Sequence, residues 1–206
     1  MDNVPLSIKL QLENLPGELK ELEELIIGTL SRGVEINLEK LLRIWRVTNP
    51  LQGVEQKVFW VEDGSASAGY QHMLKHAEEF KELGITAGQL AELAEAATTV
   101  GYPGGYQGGS KKRPGRPIFA LSFYGTLLAV AISVGSNGFV VGMNRSSLDK
   151  FLKRTGIGRH ELAELSIWPN VREPGIEATS ASTDSVATGI AKTARDPKEG
   201  SRSHPA

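Results

Sequence analysis

The chain has no cysteine among its 206 residues, which excludes disulfide bonds and thiolate metal sites. It also lacks a strong charge of either sign. The formal net charge is −1, so any attraction to nucleic acid must come from a local patch. The longest apolar run, Thr126–Val134, is far shorter than the roughly 20 residues of a membrane-spanning helix. The N-terminus has no basic region followed by an apolar core, and we expect no signal peptide.

Aromatic residues are scarce, at 6%, so the core must consist mainly of Leu, Ile, Val and Ala. The chain length allows one or two small domains. We predict a helical N-terminal segment over residues 1–62, an α+β domain over 69–168 and a disordered tail over 169–206, with a short polar linker at 63–67. The tail has few large apolar side chains, so burial cannot offset its ordering entropy.

Two helices are predicted in the N-terminal segment. Leu22, Ile26 and Leu30 lie on one helical stripe that ends before Gly33. A second helix is expected to begin near Asn37, a good N-cap residue. Its predicted buried face consists of Leu38, Leu41, Leu42 and Trp45. A small helical subdomain is the favoured interpretation, and a partner-binding segment is the alternative.

A helix over residues 69–83 carries two histidines. His72 and His76 are four residues apart and flank an apolar stripe that includes Met73 and Phe80. Imidazole gains and loses a proton near neutral pH, so this position suits proton transfer. The pair also suits zinc, with Glu79 as a third ligand. The alternative is that both histidines are boundary residues of a packed helix.

Residues 101–117 form a glycine-rich, basic segment that predicts a phosphate-binding loop. Glycine amides permit close approach to a phosphate backbone, basic side chains neutralise it, and tyrosine rings stack on bases. The residues concerned are Lys111, Lys112, Arg113, Arg116, Tyr102 and Tyr106. The alternative is a surface loop that is merely basic.

Three antiparallel strands are predicted over residues 118–143, joined by turns at Tyr124-Gly125 and Asn137-Gly138. One face of this meander is bulky, and we expect it to be buried against two helices. The other face carries small residues, namely Ala120, Ser122, Ala129, Ala131 and Ser133. Small residues allow a substrate backbone or a closely packed helix to approach. The predicted fold class is α+β: a helical N-terminal segment, then two helices packed on a small antiparallel β-meander.

Taken in order, these motifs resemble a known family. The pattern G-x-Q-H-x-x-x-H-x-x-x-F, the basic segment ending in GRPIF, and the hairpin VAISVGSNGFVVG-x-N resemble the nuclease domains at the C-termini of bacterial polymorphic toxins. Those domains include contact-dependent inhibition proteins and are grouped with the barnase, EndoU, colicin and RelE ribonucleases. The resemblance covers residues 69–144, about a third of the chain.

The resemblance implies a metal-independent endoribonuclease, without a cofactor, that cleaves RNA such as tRNA in a cytoplasm into which it can be delivered. It implies a cognate immunity protein as a partner. Carried over onto this sequence, the catalytic set is His72, His76, Arg116, Ser133 and Asn137, and Ser136 joins the RNA-binding residues. Imidazole would move protons, guanidinium would bind phosphate, and hydroxyl and amide groups would stabilise developing charge.

Two other readings of the same residues remain open. A nucleic-acid-binding module would use the basic segment without catalysis. A degenerate, partner-binding relative is the other, because the family usually follows its terminal Gly-x-Asn with Pro and Arg145 stands there in this chain. Cleavage that depends on His72 distinguishes the nuclease from both.

Overall fold

The structure is a computed structural model that describes residues 17–47, 57–109 and 115–169, with side chains from residue 20 onward. The basic residues Lys111, Lys112 and Arg113, and residues 170–206 of the predicted tail, lie outside these ranges. The described chain mixes helices with antiparallel sheets, which confirms the α+β class. No helix within those ranges is both long and apolar enough to span a membrane.

The helices and strands follow one another along the chain with short connections. The helices are α1 (Gly17–Leu30), α2 (Tyr70–Leu74), α3 (Ala77–Lys81), α4 (Leu90–Thr99), α5 (Leu148–Thr155) and α6 (Arg159–Leu165). The strands are β1 (Leu41–Arg46), β2 (Val58–Glu62), β3 (Tyr102–Gln107), β4 (Arg116–Phe123), β5 (Thr126–Val134), β6 (Val140–Ser146) and β7 (Ile167–Trp168). Single 3-10 turns at Leu38–Lys40 and Ala87–Gln89 precede β1 and α4.

The main sheet has the strand order β3-β4-β5-β6, with β7 added in parallel to β4. The predicted meander of β4, β5 and β6 is confirmed, and its first turn uses positive φ angles at Tyr124 (48°) and Gly125 (82°). The prediction of a loop throughout residues 101–117 was wrong, because Tyr102–Gln107 pairs with β4 as strand β3. Gly104 permits this strand to be covered, since a Cβ there would overlap the Phe151 ring of α5.

The predicted second helix of the N-terminal segment was also wrong. After one 3-10 turn, residues 41–46 form β1, which pairs antiparallel with β2 in a separate two-stranded sheet. Trp45 pairs with Phe59 and Ile44 with Trp60. The same apolar residues satisfy a helical stripe and a strand buried on both faces, and pairing with the distant β2 decides between the two.

The helix predicted over residues 69–83 is broken between α2 and α3. His76 lies at the break, with φ −103° and ψ 6°, and serves as the residue before α3. The two histidines therefore do not occupy successive turns of one helix. Their rings meet edge to face, with centroids 6.0 Å apart and an interplanar angle of 86°.

The bulky face of the sheet packs against α4, as predicted. Phe119, Leu121 and Ile132 share a fully buried core with Leu90 and Leu93 of that helix. The strands β1 and β2 contribute to this same core, through a buried set that comprises Trp45, Val47, Phe59 and Val61.

The opposite face of the sheet is covered over only part of its length. Ala120, Ala129 and Ala131 pack with Phe151 of α5 and Leu162 of α6. These small residues therefore admit closely packed helices, one of the two roles predicted for them. Ser133 lies beyond this core, at the end of β5 where the face is left half-exposed.

A carboxylate on α4 connects three parts of the fold. Glu92 Oε1 accepts hydrogen bonds from the Tyr124 hydroxyl (2.8 Å) and from Trp168 Nε1–H (2.9 Å). It thereby links α4 to the β4–β5 turn and to β7. The hydrogen bond to Glu92 is also the main reason that the pKa of the Tyr124 phenol is raised above its ordinary value.

Candidate active site

His72 lies at the edge of the main sheet, where α2 is attached to β6. The N–H of Gly69, which precedes α2, donates to the carbonyl of Val141 (2.9 Å). A Cβ placed on Gly142 would lie 2.5 Å from His72 Cδ2 and 3.2 Å from its Nε2. The imidazole therefore lies directly over the backbone of Gly142, and only a glycine leaves room for it there.

The hydrogen bonding of His72 determines its tautomer. Its Nδ1 is 3.0 Å from the carbonyl oxygen of Ala66, and a carbonyl oxygen can only accept. Nδ1 must therefore carry the proton of the neutral ring. Nε2, the nitrogen nearer to Gly142, is then unprotonated and is able to accept a proton.

Ser133 shares the face on which His72 lies. It is the Cα partner of Gly142 in the β5–β6 ladder, and paired residues of an antiparallel ladder project to the same side. Gly142 supplies no side chain, so the Ser133 hydroxyl and the His72 ring border one space. The β-bulge after Ser133 ends the regular ladder at this point.

Arg116 begins β4 at the same end of the sheet. Side chains alternate along a strand, so Arg116 projects to the same face as Ile118. Ile118 pairs with Ala131, and Ala131 alternates with Ser133. The imidazole, the hydroxyl and the guanidinium thus belong to one face, on three elements that meet at one end of the sheet. Arg116 and Ser133 are both half-buried.

Two amides on this face were not predicted from the sequence. Asn144 of β6 is 7% exposed, and its Nδ2–H donates to Gln107 Oε1 of β3 at 3.0 Å. These are the outer strands of the four-stranded path, so the face must be concave for the side chains to meet across β4 and β5. Asn144 Oδ1 has no hydrogen-bond donor among the described residues. The sequence did contain a signal for Asn144. It is a polar residue at an inward position of an otherwise apolar strand, and this could have marked it as a site residue.

His76 is held by a carboxylate. Its Nδ1 is 2.7 Å from Glu79 Oε1, and Glu79 Oε2 accepts from the backbone N–H of Arg145 at 3.2 Å. Glu79 thus orients the second imidazole and attaches α3 to β6. No cluster of three or more His, Asp or Glu side chains able to hold a metal ion occurs in the described ranges.

The remaining predicted residues lie elsewhere. Asn137 is in the exposed β5–β6 turn beside Ser136, and its Oδ1 accepts from the N–H of Phe139 (3.1 Å), so it closes its own turn. The Tyr102 ring packs edge to face on Phe151 and is not a free stacking surface. Tyr106 remains 45% exposed on β3. The structure therefore places Arg116, Ser133 and the His72 ring on one face at one end of the sheet. The His76 ring contacts that of His72, and Asn137 and Ser136 lie at the turn.

A comparison of the sequence with protein-family models and with curated proteins finds no match. The resemblance to the toxin nucleases accordingly stays a prediction. The geometry of the concave face is the basis on which a function is proposed.

Proposed function

We propose that this chain is a metal-independent endoribonuclease of the toxin type. The observation that carries the proposal is the shared face of His72, Arg116 and Ser133 at the uncovered end of the curved sheet. Each group matches one requirement of RNA cleavage by the neighbouring ribose hydroxyl. These requirements are a base for the 2′-OH, a cation for the phosphate and a donor for the developing charge.

In this mechanism His72 Nε2 takes the proton of the 2′-OH. The O2′ atom attacks the adjacent phosphorus, and the P–O5′ bond breaks through a pentavalent phosphorane. The products are a 2′,3′-cyclic phosphate and a 5′-hydroxyl end. The Nδ1–H bond to Ala66 supports the base role, because it leaves Nε2 as the acceptor nitrogen.

Three other side chains complete the proposed mechanism. Arg116 binds the non-bridging phosphate oxygens, which a guanidinium can contact in a bidentate manner. The Ser133 hydroxyl donates to the phosphorane. His76, whose ring is oriented by Glu79 and lies 6.0 Å from that of His72, donates the proton that O5′ requires on leaving. Asn137 is left out of this set, because the turn occupies its Oδ1.

The decisive experiment incubates the purified full chain with total tRNA in EDTA and analyses the RNA ends. We expect cleavage with 2′,3′-cyclic phosphate termini. His72→Ala should lower the rate by at least about 100-fold, the usual contribution of a general base. His160→Ala is the matched control, because His160 is exposed on α6. This variant should cleave RNA at the wild-type rate.

Failure of the wild type to cleave RNA, or full activity of His72→Ala, would reject the proposal. Binding of tRNA without cleavage would favour the non-catalytic module. The proposed activity would also require a cognate immunity protein in the producing cell, and an inhibitor that blocks cleavage by covering the concave face is the expected partner.

A further inference from the structure

A second feature lies next to the candidate site: a cleft of about 300 Å³ between β3, β6 and α5. It is separate from the row formed by His72, Ser133 and Arg116. Its wall residues include Tyr106 and Gln107 of β3 together with Lys150 and Arg154 of α5. The cleft is connected to the site through Gln107, which is the Cα partner of Arg116.

The charge of this cleft is positive and uncompensated. Lys150 and Arg154 are four residues apart on α5, so they lie on the same side of the helix. Neither forms an ion pair with any residue that the structure describes. Arg145 also lines the cleft, but its guanidinium is paired with Glu82. No Asp or Glu occurs among the described lining residues. Both side chains are exposed, and two unpaired cations lining one cleft favour an anionic occupant.

The backbone of β3 leaves room for one of these cations. Gly105 has φ +81°, and a Cβ there would collide with the guanidinium and Cδ of Arg154. The absence of a side chain thus lets Arg154 lie across the strand.

Gln107 adds an oriented hydrogen-bond donor. Its Oε1 accepts from Asn144 Nδ2–H, so the opposite end of the amide is its NH₂ group. Gln107 lines the cleft together with Lys150 and Arg154. The side chains concerned are all donors, and they suit a ligand whose polar atoms are acceptors, as in a phosphodiester.

We propose that this cleft binds the phosphate of the nucleotide adjacent to the one that is cleaved. Neighbouring strands are about 4.8 Å apart, so Gln107 lies one strand spacing from Arg116, the phosphate ligand of the proposed mechanism. Tyr106 lies on the rim of this cleft and is 45% exposed. The ligand class is single-stranded RNA, and this inference rests on the proposed function.

The test measures binding of a fluorescein-labelled single-stranded oligoribonucleotide to the full chain carrying His72→Ala, which prevents cleavage. Fluorescence anisotropy is recorded over a range of salt concentrations. Adding Lys150→Ala or Arg154→Ala should weaken binding by about tenfold each, the size of one charge-assisted contact. Each should also reduce the slope of log K against log salt by about 0.7. Lys153→Ala is the matched control, because Lys153 is exposed on the same helix but does not line the cleft.

Equal effects of Lys153→Ala and the two cleft variants, or no effect of the latter, would overturn the inference. Polyglutamate that displaces the RNA at equal charge concentration would also overturn it and favour an acidic protein. The outcome is separable from the proposed function. Binding that depends on Lys150 and Arg154 in a chain whose wild type does not cleave would keep the cleft and reject the nuclease.

Discussion

Gly142 determines where the His72 imidazole can lie, because it offers bare backbone at the point where the ring packs. Its neighbours on β6 are both larger, and the strand itself would accept a side chain in its extended conformation. At the residue scale, the candidate site thus depends on the missing side chain of Gly142 as much as on the side chains that are present.

We therefore expect Gly142→Ala to displace His72 while the fold is retained. The added Cβ would lie 2.5 Å from His72 Cδ2, and a histidine side chain can yield more easily than a strand. Misplacement of a catalytic group by about 1 Å can cost on the order of 100-fold in rate. RNA cleavage should fall by at least about tenfold, measured alongside the circular dichroism spectrum.

Gly28→Ala is the matched control for that substitution. Gly28 is inside α1, and a Cβ there would meet no atom of the described residues within 4 Å outside its own helix backbone. It should leave cleavage unchanged and stabilise the chain by up to about 1 kcal/mol, since alanine is the better helix former. Unchanged activity in Gly142→Ala would show that His72 is not held where the proposed mechanism needs it.

Tyr124 gives the fold a pH dependence in the alkaline range. Its phenol donates to Glu92, and this hydrogen bond raises the pKa of Tyr124 above that of the unfolded chain. A raised pKa in the folded state stabilises the fold below the ordinary tyrosine pKa, near 10. That contribution is lost as the pH rises through the higher folded value.

Tyr124→Phe should remove this dependence. Tyr124 has a φ of 48°, and phenylalanine tolerates that angle as well as tyrosine does, so the backbone should not change. Urea unfolding at pH 8 and at pH 11 provides the measurement. The wild type should lose more stability between the two pH values than the variant, because the other tyrosines titrate in both. Parallel losses would mean that the Tyr124–Glu92 bond does not contribute.

At the scale of the elements, the sequence was most informative where a local pattern had one interpretation. The turns predicted at Tyr124-Gly125 and Asn137-Gly138 correctly separated the three strands of the meander. Turn residues and alternation act over short distances, so they can be recognised without knowledge of the partner strands.

The elements that were mispredicted depend on distant partners. Residues 41–46 could form a helix or a strand, and β2 selects the strand. Residues 102–107 have the composition of a loop, but β4 pairs with them and α5 packs on their glycines. For the same reason Gln107 and Asn144 could not be assigned to one site, because their contact depends on the curvature of the whole sheet.

One side-chain hydrogen bond joins β1 to α4 and can be tested directly. Trp45 Nε1–H donates to Thr98 Oγ1 at 2.9 Å, and both residues are buried. Thr98→Val keeps the shape and leaves the indole N–H without an acceptor. We expect a loss of about 1–3 kcal/mol in the free energy of unfolding, measured with urea.

A double-mutant cycle separates this bond from other effects of the substitution. In a Trp45→Phe background the donor is already absent, so Thr98→Val should cost much less. An equal cost in both backgrounds would mean that the loss arises from α4 itself, for example from the bond of Thr98 to the Ala94 carbonyl.

At the scale of the whole molecule, the N-terminal strands share a core with the main sheet. Trp45, Phe59 and Val61 are buried together with Phe119 and Leu121. The backbone N–H of Trp60 also donates to the carbonyl of Gly138 in the β5–β6 turn (3.2 Å). The predicted boundary at residues 63–67 thus separates chain segments that are packed against each other.

We expect the described part of the chain to unfold in one cooperative transition. Fluorescence of two variants tests this, one retaining only Trp60 near the β5–β6 turn and the other only Trp168 on β7. The two variants will differ in stability, so this difference is subtracted before their urea midpoints are compared. The midpoints should then coincide. Two separated midpoints in a wild-type calorimetric scan would instead support independent domains.

The contact between His72 and Gly142 has a consequence for descent. Relatives of this chain that retain the imidazole must leave position 142 as glycine, whereas a lineage that has lost the imidazole is free to place any small residue there. The two positions should accordingly change together over evolutionary time, although 69 residues of chain separate them. A relative with histidine at position 72 and a bulky residue at position 142 would show that the imidazole can adopt a different position.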